Sequence, residues 1–148
     1  MDVVLPGEIA RFKVWPAGKH RSPCYWMVRV FKTRGHMRRA FHKLDISHDK
    51  DDRFAAIVMP QERQKLVRGR WRSASPNLGY VLFARTYVCA EVLCHESVHM
   101  ATNYLRRIGK LRLHQKHDKG EETLAYHTGW CGRQLNNGFH KFKCWREI

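Results

Sequence analysis

The sequence predicts an α+β domain in which a small mixed or antiparallel sheet packs on two successive helices. Three observations carry this. Aromatic and β-branched runs recur in the first half, at Cys24–Phe31, Phe54–Met59 and Leu78–Ala84. A stretch from about Tyr87 to Ile108 is mostly apolar and long enough for a helix. A second helical stretch opens near Asp118 and runs through Trp130 towards Leu135.

Taken in order, residues 1–22 contain Pro6, Gly7, Pro16 and Gly18 and read as short extended pieces and turns. Cys24–Phe31 is a strand. Thr33–His36 is expected to turn the chain, with Met37–Leu44 returning as a second strand. Asp45–Arg53 is rich in aspartate but lacks the glycine and final glutamate of a calcium loop, so it reads as a solvated loop. Phe54–Met59, ended by Pro60, is a strand, and Gln61–Trp71 a basic loop or irregular helix. Ser73–Asn77 connects to the strand Leu78–Ala84. The first long helix is expected to stop at Gly109, with Arg106 and Arg107 in its last turn, where cations are favoured. In the second, Asp118 suits the N-cap and Glu121 its return partner. Asn136-Asn137-Gly138 is expected to break the chain, and Phe139–Trp145 to form a short terminal strand or packing tail.

The 148 residues are most simply one domain, with enough apolar sequence for a core. No run of about 18 apolar residues is present, so no transmembrane helix is expected. The first residues lack the basic and apolar regions of a secretory signal, which points to the cytoplasm. Five cysteines, with no C-x-x-C pair, read as reduced thiols, and Cys89 and Cys94 as small core residues. The spacing of Cys131, His140 and Cys144 is not that of a standard zinc site. Lys and Arg number 28 against 13 Asp and Glu, a net charge of +15, and such a surface attracts polyanions. The segment Arg63–Arg72 is among the densest in charge and sets Trp71 between two arginines, a combination suited to phosphate contact and base stacking.

The motif that carries chemistry is His95-Glu96-Ser97-Val98-His99, an H-E-x-x-H. Residues four apart on a helix share a face, so two imidazoles can reach one ion, half of a tetrahedral zinc site. Glu96 lies beside that face, where it can take a proton from water activated by the metal. A catalytic zinc needs one more side chain. If Glu121 belongs to the capping box, Glu122 is left free and shares a face with Ala125, Tyr126 and Gly129. The small Ala125 and Gly129 suggest that this face presses on the histidine helix and brings Glu122 to the metal. Glu121, His114 and His117 stay open as alternatives.

The combined pattern, H-E-x-x-H with 22 residues to Glu122 and then E-x-x-A-Y, resembles the zincin metallopeptidases, most of all the gluzincin type. It is also similar to the small zincin domains of phages and other mobile elements. The resemblance covers about residues 78–135. It implies a minimal zincin-like fold, a single zinc ion (Zn2+) held by His95, His99 and Glu122, and Glu96 as general base. It also implies a strand lying edge-on beside the cleft and able to pair with an extended peptide, for which Leu78–Ala84 is the expectation. Tyr126, about 40° from Glu122 around the helix, is open to two readings, an oxyanion stabiliser or a packed aromatic. In SprT-like zincins the last ligand is a downstream His, here His114 or His117, and DNA-associated proteins are the substrates. The expected function is therefore a zinc metallopeptidase acting on a peptide or protein. Its rivals are a basic module gripping nucleic acid or a host protein around a structural zinc, and a zinc hydrolase of other bonds.

Overall fold

A computed structural model of the chain describes residues 3–19, 21–44, 54–61, 64–73, 76–111 and 119–145, with the backbone alone over 64–67 and 70–73. The described elements are strands β1 (Glu8–Val14) and β2 (Tyr25–Phe31), helix α1 (Arg34–Leu44), strands β3 (Ala56–Pro60), β4 (Gln64–Val67), β5 (Arg70–Ser73) and β6 (Asn77–Ala84), and helices α2 (Ala90–Arg107) and α3 (Lys119–Lys141). The fold is mixed α+β. Four strands form one sheet in the order β1-β2-β6-β3, with β2 and β6 parallel and both outer pairs antiparallel. A separate hairpin joins β4 to β5.

The sheet is covered on both faces. Val28, Val30, Val81 and Phe83 point to one side, where Leu93, Met100, Leu105, Cys131, Leu135 and Phe139 of α2 and α3 meet them. Phe31, Tyr80, Leu82 and Ala84 point to the other, against Met37, Ala40 and Phe41 of α1. Central β6 is therefore apolar along nearly its whole length rather than alternating, as expected of a strand buried on two faces.

Several expectations are corrected. Residues 34–44 are a helix, not a returning strand. Met37, Ala40 and Phe41 recur at spacings of three and four, and the Thr33 hydroxyl accepts the His36 amide at 3.2 Å, capping the start. Of the segment 61–71, residues 64–71 are neither loop nor helix, because the two-residue turn Arg68-Gly69, with both φ positive, folds them into the β4–β5 hairpin. The N-terminal segment holds the full strand β1. The second long helix does not break at Asn136-Asn137-Gly138; α3 runs on to Lys141. Cys131, Leu135 and Phe139 keep the helical period across the expected break, and Gly138 lets the Phe12 ring lie against the helix backbone. The asparagines and glycine cost some helix propensity, which burial of this stripe outweighs. The expectations for Asp45–Arg53 and for Asp118 as N-cap lie outside the described residues.

The end of α2 is as expected. Gly109 takes φ +71°, its amide donates to Arg106 O, and Lys110 donates back to Leu105 O, a Schellman closure.

Candidate metal centre

The period of α2 builds the site. Leu93, Glu96, Ser97, Met100, Tyr104 and Leu105 are spaced to form the stripe that faces the core, which sets Glu96 inside the apolar face. His95 and His99 lie on the flank of that stripe and are exposed, His95 with two thirds of its side chain in solvent. Their Nε2 atoms converge to 3.1 Å. Two nitrogens at about 2.0–2.1 Å from one tetrahedral zinc stand about 3.3 Å apart, so the imidazole pair fits a shared ion.

Glu96 Oε1 lies 3.9 Å from His95 Nε2, within reach of the same region. Burial pushes its carboxyl up to about 7. The His99 imidazole is held below its usual range by burial and by the neighbouring His95, which favours the neutral, ligating form.

The pair opens into a cleft of about 200 Å³ walled by Ala56, Ile57 and Val58 of β3 and by Asn103. A second hollow of about 300 Å³ continues it past Phe54, Ala55, Glu91 and Val92. Asn103 continues the row His95, His99 by one more turn, and its side-chain amide donates to His99 O at 2.8 Å. Sequence reasoning passed over Asn103, although the i, i+4, i+8 spacing places it beside the motif. The strand along this cleft is β3, whose outer edge carries no partner among the described residues. This corrects the expectation for Leu78–Ala84. That segment is β6, both of whose edges are occupied, by β2 and by β3.

Glu122 is exposed in the first turn of α3, as is Glu121. Among the described residues, no three His, Cys, Asp or Glu side chains are placed to hold one ion. The rotation of α3 sets which of its faces meets α2. Glu122 and the buried Cys131 are nine residues apart, about 180° around the axis. The face that presses on α2 is that of Cys131, Gly132 and Leu135, where a Cβ on Gly132 would stand 3.3 Å from Ser97 Oγ. Ala125, Tyr126 and Gly129, expected to make that contact, face solvent. Tyr126 lines neither hollow of the cleft. His114 and His117 lie outside the described residues.

All five cysteines are free. Cys94 is exposed rather than part of the core, because it sits one position from the buried stripe of α2. Cys131 and Cys144 are buried thiols, Cys131 pushed up to about 12 by burial, and neither forms a metal group with His140.

Compared with known proteins, the chain matches no protein-family model, no curated protein and no solved structure.

Proposed function

We propose that this protein is a zincin-like metallopeptidase that holds one zinc through His95 and His99 and uses Glu96 as general base. The observation that supports it is the pair of Nε2 atoms 3.1 Å apart at a cleft walled by a strand edge that has no partner among the described residues. Bound zinc supplies Lewis acidity, which polarises a carbonyl and brings the pKa of water to near neutrality. Around it the chain's own groups have defined tasks. The free edge of β3 binds an extended peptide by main-chain hydrogen bonds and draws its scissile bond past the imidazoles. Glu96 takes the proton of the attacking water and passes it to the departing amine. The third ligand comes from residues 114–122, which carry Glu122, the side chain implied by the resemblance, and its rivals Glu121, His114 and His117.

The test is zinc content together with peptide hydrolysis. The purified protein should bind about one zinc per chain, and His95→Ala and His99→Ala should each lose it. Glu96→Gln should keep the metal while hydrolysis falls about 10²–10⁴-fold. Replacing Glu122, Glu121, His114 and His117 in turn identifies the third ligand as the one whose loss weakens zinc as much as His99→Ala does. Failure to take up zinc, or undiminished proteolysis by Glu96→Gln, would overturn the reading.

A further inference from the structure

A second cleft, of about 480 Å³, lies between the loop after β1 and α3, lined by Lys19, Arg21, Trp130, Arg133, Gln134 and Asn137 with Ala17 and Gly18. Its size is within the ~300–1,000 Å³ of ligand clefts. Among the described residues no carboxylate lines it, and three of its side chains are cations. Aromatic rings run along the same helix: Trp130 stacks obliquely with Tyr126 one turn before it, centroids 6.2 Å apart, and Tyr126 is 59% exposed. The Arg21 guanidinium lies 5.7 Å from the Trp130 ring, and Lys19 lies 5.6 Å from Trp15.

The cleft is held open by a defined scaffold. The Gln134 side-chain amide clasps the Trp15 backbone like a neighbouring strand, accepting its N–H and donating to its carbonyl, each at 2.8 Å. Gly18, at φ +80°, donates to Trp15 O and accepts from the amides of Arg21 and Ser22, which fixes the path of the loop carrying two of the cations.

We propose that this cleft binds single-stranded nucleic acid, with Lys19, Arg21 and Arg133 on the phosphates and bases stacked on Tyr126 and Trp130. Cations flanking one exposed ring, Tyr126, and one half-buried ring, Trp130, are what an unpaired strand needs, because its charge is on the backbone and its π-faces are open. An acidic peptide would use the cations and leave the rings idle. The cleft is independent of the proposed metal site. It lies where α3 meets β1, whereas the imidazole pair faces β3 at the opposite edge of the sheet.

The experiment is fluorescence anisotropy of the full chain with a labelled 15-nucleotide oligo-dT, a duplex of the same length and a polyglutamate peptide. The single strand should bind tightest, with log K falling against log salt at a slope of about −2, given about −0.7 per phosphate contact and three cations. Tyr126→Ala should weaken oligo-dT binding about tenfold, the scale of one lost stacking contact. Arg133→Ala should flatten the salt slope by about 0.7. Both side chains are exposed, and Lys19→Ala gives a second reading of the phosphate contacts. Peptide hydrolysis and zinc content should be the same in these variants as in the parent. Equal binding of duplex, single strand and polyglutamate, or oligo-dT binding indifferent to Tyr126→Ala, would overturn the proposal in favour of unselective attraction between charges. Tighter binding of polyglutamate would overturn it in favour of an acidic protein partner.

Discussion

Glu8 shows how one residue can keep a charge inside this protein. Its side chain is 3% exposed and that of Arg29 is 1%. Burial by itself would raise the Glu8 carboxyl, but hydrogen bonds from Arg11 and Arg29, with the Leu5 amide, bring it down to about 2. Arg29 also donates to Val3 O at 2.6 Å and lies over the Tyr80 ring, so the network ties the segment before β1 onto the sheet. The consequence for pH has a definite sign. The unfolded carboxyl titrates near 4.5 and the folded one near 2, so the unfolded state binds more protons between them. Stability from this network is complete above about 4.5 and is lost as pH falls towards 2. Glu8→Ala strands the buried Arg29 and should cost about 3–5 kcal/mol at neutral pH. Chemical denaturation of parent and variant at pH 7 and pH 3 checks this, and the difference between them should narrow at the lower pH. Glu96 is the opposite case. It lies beside an imidazole rather than a guanidinium, and burial carries its carboxyl upwards.

At the scale of the elements, helix α3 decides what can meet what. Its buried stripe of Cys131, Leu135 and Phe139 selects one rotation about its axis, and that rotation leaves Glu122, Ala125, Tyr126 and Gly129 outside. Two glycines report on it. A Cβ on Gly129 would meet nothing within 4 Å. Gly129→Ala should therefore stabilise the protein by about 0.5–1 kcal/mol, since it removes a flexible residue from an exposed helix interior. A Cβ on Gly138 would overlap the Phe12 ring, which also contacts Phe139 edge-on and stacks on Phe142. Gly138→Ala should therefore destabilise by about 1–3 kcal/mol. Thermal melts of the two variants read both predictions, and a lowered melting temperature for Gly129→Ala would mean that the Glu122 face is packed after all. Much of this was open to inspection in the sequence. The i, i+4, i+8 run of Cys131, Leu135 and Phe139 is visible there, as is the helical spacing of Met37, Ala40 and Phe41. Turn-forming Asn-Asn-Gly and Thr-Arg-Gly triplets pointed the other way, and local propensity is weaker than burial of a continuous apolar stripe.

For the whole molecule, the order of strands matters more than their existence. Placing β6 between β2 and β3 buries it on both faces and both edges, and leaves β3 as the edge along the imidazole cleft. Amide exchange should follow this arrangement. Val81, Leu82 and Phe83 should exchange slowest, and the outward amides of β3 faster, because edge hydrogen bonds open at lower free energy. An extended peptide seated in the cleft should slow exchange in β3 and leave β1 unchanged. Uniform protection of β3 without peptide, or peptide-induced protection at β1 instead, would show that the cleft is not where peptides lie. No helix of the described residues is long and apolar enough to cross a membrane, in agreement with the absence of a long apolar run.

By itself the sequence determined the mixed α+β class, strands at residues 24–31, 54–59 and 78–84 that fall within two residues of β2, β3 and β6, the histidine helix with its glycine stop, and the shared face of His95 and His99. All of these follow from spacing along a single element, a local property of the chain. Only the tertiary structure decided which strand forms the free edge by the cleft, which side of α3 meets α2, and that Lys19, Arg21 and Arg133 gather around Trp130. Those choices depend on which apolar faces bury one another across the whole chain, and no single window of residues contains that competition.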